Sequence, residues 1–180
     1  MALTATIYNF DIELADGDRQ VYESVALRAA RHPSESEEYL VARVLAYLLE
    51  FSAGIEFSRG VSDPGEPAIA IRDLTGALQT WIDIGTPDAA RLHKASKSAR
   101  RVAVYTHKDP MQFLRQLEGE RIHRAGSLEL YAIDRGLVAA LVARLERRMA
   151  FSVSVTDREL YVSIGGDNLT GAVVRLERPA

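Results

Sequence analysis

The sequence has 180 residues, a length typical of one domain, of which 47% are apolar and 26% charged, as in ordinary globular proteins. The net charge of −3 gives no overall positive field that would favour nucleic acid. Cysteine is absent, which excludes a disulfide-linked partner, thiolate catalysis and cysteine-ligated metal centres. The sequence has no membrane-length apolar run, and Met1–Leu14 lacks the features of a secretory signal. We therefore expect a cytoplasmic protein without membrane association.

The first quarter of the chain predicts a hairpin followed by a helix. Apolar and polar residues alternate on both sides of an Asp-Gly turn, which predicts a β-hairpin over residues 3–28. Ser34 and Glu37 have the spacing of a capping box, so a helix is predicted from Glu35. Apolar residues recur at helical spacing along one side of this segment, which extends the predicted helix to Phe51.

The middle of the chain predicts a mixed sheet. Three short strands are predicted at 54–58, 68–72 and 78–84. A tight turn at Asp73–Gly76 joins the last two of them. Thr86 precedes a proline, which predicts a capped helix over Pro87–Ala99, and the apolar run at 101–106 predicts a buried strand. A strand, a helix and a strand in this order are typical of a parallel crossover.

The last third of the chain predicts two more helices and a terminal β-meander. The helices are predicted from Asp109 to Leu117 and from Asp134 to Arg148, with a strand at 127–133 between them. Alternating residues over 151–176 predict the meander. We therefore predict a single α/β domain over 1–180, with a mixed central β-sheet flanked by helices and β-rich additions at both ends.

Several familiar active-site motifs are absent. The sequence has no glycine-rich phosphate loop, no dinucleotide fingerprint and no nucleophile elbow. Its four histidines lack an i, i+4 pair, and they are His32, His93, His107 and His123. No local signature therefore supports a histidine metal centre or a serine hydrolase.

The best candidate site residues are carboxylates around the central hairpin. Asp83 shares one face of its predicted strand with Trp81, because side chains alternate across a strand. A buried acid needs a partner, and magnesium is a common one. A tight Asp73–Gly76 turn would bring Glu66 close to Asp83. Asp73 would then lie at the hairpin tip, about 20 Å away, as a turn former.

The first predicted helix offers a third acid. Glu38 borders the apolar side of this helix, although an acid in a first turn also stabilises the helix dipole. Oxygen ligands bind magnesium at about 2.1 Å, so two ligands of one ion lie close together. If Glu38, Glu66 and Asp83 form a metal site, we expect their carboxylates to lie about 4 to 6 Å apart.

The predicted helix after Asp83, with the residues that follow it, is basic. Its positive residues are Arg91, Lys94, Lys97, Arg100 and Arg101. On a helical wheel Lys94 and Lys97 point away from the apolar side, whereas Arg91 flanks that side. The basic residues form either a solvated surface or a contact with phosphate backbones, which lysine and arginine bind without sequence preference.

Several sequence strings resemble the bacterial YaeQ family of uncharacterised proteins. These strings are RHPSE, RGVSDPGEP, DLTGALQTWIDIGTPDAARLHKAS and VAVYT, and the resemblance begins at the opening MALTATIY. It extends over nearly the whole chain. The fold of this family is similar to that of the PD-(D/E)XK nuclease superfamily, whose core order is helix, three strands, helix and strand. The same order is predicted independently for residues 35–106, and the 3–28 hairpin and the 151–176 meander would be additions to this core.

The resemblance to the nuclease superfamily implies a site that binds Mg²⁺ or Mn²⁺. Asp83 matches the second strand acid, and Glu66 or Asp73 would be the first. The superfamily's helix glutamate would be Glu38. Gly85 stands where the motif lysine is expected, and Lys94 would replace that lysine from the next helix.

Three classes of function follow from these observations. The first is a magnesium-dependent nuclease that uses Asp83 and Lys94 for catalysis. The second is a non-catalytic relative that binds nucleic acid or a protein, with Arg91, Lys94, Lys97 and Arg101 as the nucleic-acid contacts. Net charge and the missing motif lysine favour the second class, whereas clustered carboxylates would favour the first. The third is an interaction protein whose terminal meander pairs with the strand edge of a partner.

Overall fold

The computed structural model describes residues 4–58 and 63–178 and has an α/β fold with mixed strand pairing. Its contacts divide the chain into two compact units. The first unit comprises Met1–Leu49 and Ile133–Val174, and the second comprises Glu50–Ala132 and Arg175–Ala180. The predicted α/β class and mixed sheet are confirmed. None of the helices in the described ranges has the length and apolar character of a membrane span.

The first unit contains a long antiparallel hairpin. Strands β1 (Thr6–Asp16) and β2 (Val21–Arg31) pair along their whole length, so the predicted hairpin is confirmed and extends three residues further. Residue 3, where the prediction began, lies outside the described residues. Inward-facing residues of both strands are buried, among them Phe10, Ile12 and Leu27. The period-two pattern therefore gives the strands their buried face.

The C-terminal meander lies beside this hairpin within the same unit. Strand β8 (Arg148–Thr156) is parallel to β1, and β9 (Glu159–Ile164) and β10 (Asp167–Leu176) follow in antiparallel order. The strand order is β2-β1-β8-β9-β10. The predicted meander is therefore confirmed, and its first strand begins three residues earlier than expected.

Helix α1 (Glu37–Leu49) begins later than the sequence predicted. The backbone N–H of Tyr39 donates to the Ser36 hydroxyl at 3.0 Å, so Ser36 is the cap. The hydroxyl of Ser34 instead contacts His32 Nδ1 at 2.7 Å. The predicted start at Glu35 is wrong because it relied on the capping-box spacing between Ser34 and Glu37. In the structure Ser36, and not Ser34, caps the helix.

Helix α4 (Arg135–Val142) is six residues shorter than predicted at its C-terminal end. Asp134 caps it as expected, accepting a hydrogen bond from the Leu137 N–H at 2.8 Å. The next residues are good helix formers, but Arg148 already pairs with Asn9 of β1. Strand pairing overrides local helix propensity here.

The second unit contains the elements around the candidate site. In chain order they are β3 (Ile55–Phe57), β4 (Ile69–Arg72), β5 (Leu78–Ile84), α2 (Ala89–Ser98), β6 (Arg101–Thr106), α3 (Pro110–Leu117) and β7 (Glu129–Ile133). The strands β3, β4 and β5 are antiparallel neighbours, whereas β5, β6 and β7 are parallel. The predicted crossover from β5 through α2 to β6 is confirmed. Strand β5 is thus the middle strand of this unit.

Helix α2 and helix α3 share one core with the sheet of the second unit. Buried residues of this core include Trp81, Leu92, Val104, Phe113 and Leu130. Asp88 caps α2 by accepting a hydrogen bond from the Arg91 N–H at 2.8 Å, so the predicted start at Pro87 is two residues too early. This cap fixes the rotation of α2 and directs Arg91 toward the sheet.

The two serines before α1 provide a test of its start. Replacing Ser36 by alanine removes the hydroxyl that caps α1 and should lower the free energy of unfolding by about 1 kcal/mol. That loss corresponds to a melting temperature lower by about 2–4 °C. Ser34→Ala is the matched control, since both serines are exposed, and it should change stability much less. A larger loss for Ser34→Ala would contradict the assignment.

Candidate functional site

Asp83 is a charged side chain inside the core of the second unit. It is the sixth residue of β5 and only 2% of it is exposed. The alternation of β5 places it on the same face as Trp81, which packs against α2, as the sequence predicted. An ionised carboxylate at this depth requires a cationic or hydrogen-bonding partner.

Arg91 of α2 is that partner. Its Nε donates to Asp83 Oδ2 at 2.7 Å and its Nη2 donates to Oδ1 at 3.0 Å, which is a bidentate ion pair. The guanidinium carbon lies 5.3 Å from the centre of the Trp81 ring. Removal of one member of a buried ion pair typically lowers the free energy of unfolding by about 3–5 kcal/mol. The 29% exposure of the Arg91 side chain reduces that cost here.

The segment before β4 completes the surroundings of Asp83. The N–H of Ala68 donates to Asp83 Oδ1 at 3.3 Å, and Arg91 Nη2 also donates to the Glu66 carbonyl at 2.8 Å. The predicted proximity of the Glu66 segment to Asp83 is therefore confirmed. Glu66 contributes its backbone oxygen to this contact, and its side chain is half-buried.

The described residues do not fit a preformed divalent metal site. The two carboxylate oxygens of Asp83 already accept three hydrogen bonds, two from Arg91 and one from Ala68. Glu38 is exposed on α1. Among the described residues, no three histidine or carboxylate side chains are grouped as metal ligands. The metal role of Glu38, Glu66 and Asp83 stays a prediction without a ligand cluster to support it.

Asp73 is a turn former, as expected from its place at the hairpin tip. Its Oδ1 accepts hydrogen bonds from the Thr75 hydroxyl at 2.6 Å, the Thr75 N–H at 2.9 Å and the Ala77 N–H at 3.0 Å. Its Oδ2 accepts from Gln79 at 3.0 Å. These bonds, the one from the Thr75 hydroxyl above all, hold the pKa of Asp73 below its usual value. Its carboxylate is therefore committed to the β4–β5 turn.

Gly85 stands where the resemblance to the nuclease superfamily leads us to expect a motif lysine. It has a φ of +87°, a conformation that disfavours lysine as it does other residues with a β-carbon. The predicted substitute, Lys94, is exposed on α2, as the helical wheel indicated. Its Nζ lies beside Gly65, 3.8 Å from where a β-carbon on that glycine would be. Lys94 thus borders the loop before β4, and its catalytic role stays a prediction.

The predicted basic surface separates into paired and unpaired charges. Arg91 binds Asp83, and Arg101 lies on β6 between Glu50 and Glu129. Lys94 and Lys97 are exposed on α2 and form no ion pair with the acidic residues that the structure describes. The positive surface of α2 is therefore smaller than the sequence suggested.

A second polar cluster surrounds Arg101. Its Nη1 donates to Glu50 Oε2 at 2.5 Å and its Nε donates to Glu129 Oε2 at 2.5 Å. Tyr105 donates to Glu50 at 2.5 Å, and Tyr131 donates to Glu129 at 2.8 Å. The two tyrosine rings stack with their centres 4.9 Å apart. Arg101 thus binds both Glu50 and Glu129, and each glutamate also accepts a hydrogen bond from one of the two stacked tyrosines.

The cluster shifts the protonation of its members. Hydrogen bonds to Glu50 raise the pKa of Arg101, which keeps its charge. Burial and the Glu50 carboxylate raise the pKa of Tyr105 well above its usual value. Burial alone would raise the pKa of Glu129, but hydrogen bonds from Arg101 and Tyr131 outweigh it and hold that pKa below its usual value. The lowered pKa of Glu129 and the raised pKa values of Tyr105 and Tyr131 keep Glu129 ionised and both tyrosines neutral near neutral pH.

Sequence analysis did not find this cluster. Glu50 is far from Arg101 and Glu129 in the chain, and Arg101 was grouped with the basic residues of α2. The alternation within the predicted 101–106 strand was the available signal, since it places Arg101 and Tyr105 on one face. The parallel pairing of β6 with β7, which adds Glu129, was not predictable from that strand alone.

Comparison with known proteins identifies the family. The family model described as "YaeQ protein" matches residues 1–173. This chain belongs to the YaeQ family. The "Uncharacterized protein YaeQ" of Escherichia coli (strain K12) is 30% identical over 181 residues, covering 100% of both chains, and the Salmonella typhi protein of the same name matches equally. The family indicated by the sequence strings is confirmed, and these names state no activity.

Solved YaeQ structures have the same fold as this chain. The crystal structure of the YaeQ protein from Pseudomonas syringae matches with a TM-score of 0.86 and 28% identity, covering 97% of this chain and 98% of that chain. The YaeQ protein from Xanthomonas axonopodis pv. citri matches with a TM-score of 0.86 and 31% identity, covering 98% and 100%. The YaeQ fold is thus shared across nearly the full length of these chains.

The lowered pKa of Glu129 predicts how this YaeQ-family protein responds to acid. Its ionised form contributes stability above its unfolded-state pKa, and that contribution is lost as the pH falls through the lower folded-state value. Glu129→Gln should lower the free energy of unfolding by about 1 kcal/mol near pH 6, after allowance for solvent screening. The difference in melting temperature from the wild type should then shrink as the pH is lowered.

Glu146→Gln is the matched control for this experiment, since Glu146 is exposed in the first unit. Its melting temperature should stay close to that of the wild type at each pH. A gap between wild type and Glu129→Gln that stays constant with pH would contradict the assigned role of Glu129.

Proposed function

We propose that this YaeQ-family chain is a non-catalytic relative of the PD-(D/E)XK nucleases that binds nucleic acid backbones through α2. The order of α1, three strands, α2 and β6 supports the nuclease-like core, because it is the order implied by the resemblance. The proposal separates the fold from the chemistry that this fold supports in the nuclease superfamily.

The ion pair of Asp83 with Arg91 is the observation that supports loss of catalysis. A metal-dependent nuclease needs a carboxylate whose oxygens face a cation and a reacting phosphate. Here the guanidinium of Arg91 occupies those oxygens at 2.7 and 3.0 Å. Gly85 at the lysine position also removes the group that would orient a water molecule. Proton transfer by such a positioned group is typically worth 10²–10⁴-fold in rate.

The exposed lysines of α2 support binding to phosphates. Lys94 and Lys97 are three residues apart, which places them on one side of the helix. Arg100 follows and is also exposed. Lysine and arginine neutralise backbone phosphates and release counterions without reading the bases. The protein's net charge of −3 makes this binding weak and sensitive to salt.

The magnesium-dependent nuclease is the second candidate. The position of Asp83 late in a central strand, beside the Glu66 segment, favours it. It requires Arg91 to leave Asp83 and further carboxylates to join Asp83 as ligands of one metal ion. The described residues show neither arrangement, so we rank it second.

Charge reversal on α2 tests the proposed function. Fluorescence anisotropy should detect weak binding of labelled single- or double-stranded DNA or RNA, with affinity that falls as salt is raised. Lys94→Glu/Lys97→Glu should weaken binding at low salt about equally for all sequences. Each phosphate contact contributes about 0.7–0.9 to the slope of the logarithm of the binding constant against the logarithm of the salt concentration. Loss of two contacts should therefore reduce the magnitude of this slope by roughly 2.

Arg135→Glu/Arg148→Glu is the matched control, because it makes the same charge change at exposed sites of the first unit. It should retain more binding than the α2 variant. Incubation with Mg²⁺ or Mn²⁺ in the same assay should leave the nucleic acid intact. Cleavage that Asp83→Asn abolishes would establish the second candidate instead, and absence of binding at low salt would contradict both and favour a protein partner.

A further inference from the structure

The segment Arg121–Arg124, between α3 and β7, is attached to α2 in the second unit. Its sequence is RIHR, and we name it the RIHR segment. Ile122 is buried in the core that α2 and α3 share, whereas Arg121, His123 and Arg124 are exposed. The buried side chain of Ile122 anchors the segment. The side chains before and after it, those of Arg121 and His123, therefore lie at the surface.

The backbone of His123 holds the RIHR segment on α2. The N–H of His123 donates to His93 Nδ1 at 3.0 Å, and the Ser96 hydroxyl donates to the His123 carbonyl at 2.5 Å. His93 and Ser96 are three residues apart, so they lie on one side of α2. The imidazole of His123 takes no part in these two bonds. It is therefore held at the surface by a fixed backbone and can contact a ligand.

Arg124 explains why a basic segment can attach to a basic helix. Its Nη2 donates to the carbonyls of Ser96 and Ala99, the second at 2.7 Å. Ala99 is the C-cap residue of α2, and the last carbonyls of a helix attract cations because they have no helical partners. Arg124 is thus bound to the end of α2. Arg121 is exposed and has no ion-pair partner among the acidic residues that the structure describes.

The two imidazoles lie next to each other and beside a lysine. The ring centres of His93 and His123 are 6.3 Å apart, and the ring planes meet at 78°. Lys97 follows His93 by four residues on α2, so their side chains are neighbours on the helix. Two imidazoles and an ammonium group are therefore grouped where the RIHR segment meets α2.

The bond from the His123 N–H fixes the tautomer of His93 and thereby the class of ligand. A backbone N–H can only donate, so Nδ1 of a neutral His93 carries no proton and the ring proton is on Nε2. A metal ion at Nε2 would have to displace that proton. Within the described ranges, no third histidine or carboxylate joins the pair as a metal ligand. An Nε2–H group can instead donate to an oxygen of an anion, as phosphate binding requires.

The charges of the two elements also favour an anion. Helix α2 contains no aspartate or glutamate, and neither does the RIHR segment. Glu120 directly precedes the segment, and Arg178 donates from Nη2 to its carbonyl at 2.6 Å, which adds a positive charge there. Grouped positive charges raise the local concentration of anions.

We propose that the RIHR segment and the adjoining side of α2 form one surface that binds phosphate groups, with His93, Lys97, Arg121 and His123 as its contacts. The inference rests on the proposed function, because it names a second element that binds the same nucleic-acid phosphates. His93 donates a hydrogen bond from Nε2, and Lys97 and Arg121 supply positive charge. Such contacts position a nucleic acid without reading its bases.

Alanine variants of the two exposed residues test this surface. The bonds that attach the segment use only the backbone of His123, so Arg121→Ala and His123→Ala should keep the circular dichroism spectrum of the wild type. In fluorescence anisotropy at low salt, each variant should raise the dissociation constant for labelled DNA or RNA about fivefold. Arg115→Ala is the matched control, because it removes one exposed positive charge from α3, and it should change the constant much less.

A titration with inorganic pyrophosphate distinguishes failure of this inference from failure of the proposed function. In NMR spectra the ring resonances of His93 and His123 should shift in a saturable way as pyrophosphate is added. The resonances of His32, which lies in the first unit, should not shift. If the wild type binds no nucleic acid, these shifts would still support a surface for free phosphates, and their absence would overturn the inference.

The variants also separate this surface from the lysines of α2. Nucleic-acid binding that Lys94→Glu/Lys97→Glu weakens, and that Arg121→Ala and His123→Ala leave unchanged, would overturn the inference while the proposed function stands. Weaker binding in all three variants, with wild-type binding in Arg115→Ala, is the result that the inference predicts.

Discussion

The ion pair between Asp83 and Arg91 joins the middle strand of the second unit to the helix that covers it. A buried carboxylate without a cation would be unstable, and Arg91 provides that cation with two hydrogen bonds. The same guanidinium binds the Glu66 carbonyl and packs against Trp81. One arginine therefore positions the strand β5, the helix α2 and the loop before β4 together.

This ion pair determines what the Asp83 carboxylate is available to bind. In a metal-dependent site the central acid is held ready for a cation from solution, whereas here the cation is part of the chain. The lysines beyond Arg91 on α2 stay exposed, and the proposed function assigns the contacts with phosphates to them. The proposed lack of hydrolysis therefore rests on the ion pair of Asp83 with Arg91, and the proposed binding rests on the exposed lysines of α2.

The sequence predicted most elements of this fold because their signals are local. Strand β5 and strand β6 have the predicted bounds, since alternation and apolar content define them within a few residues. Helix α4 was overestimated because pairing of Arg148 with Asn9 depends on a segment at the other end of the chain. At the site, the flanking position of Arg91 was visible on a helical wheel. The Glu50–Arg101–Glu129 cluster depends on long-range pairing and was not visible.

Calorimetric titration of manganese into the wild type, Asp83→Asn and Arg91→Ala proteins tests the central claim most directly. If Arg91 satisfies Asp83, the wild type should show no saturable Mn²⁺ binding that depends on Asp83. Circular dichroism of each variant would establish that it is folded. One-site binding of Mn²⁺ by the wild type that disappears in Asp83→Asn would contradict the claim, because the carboxylate would then be available to a metal ion.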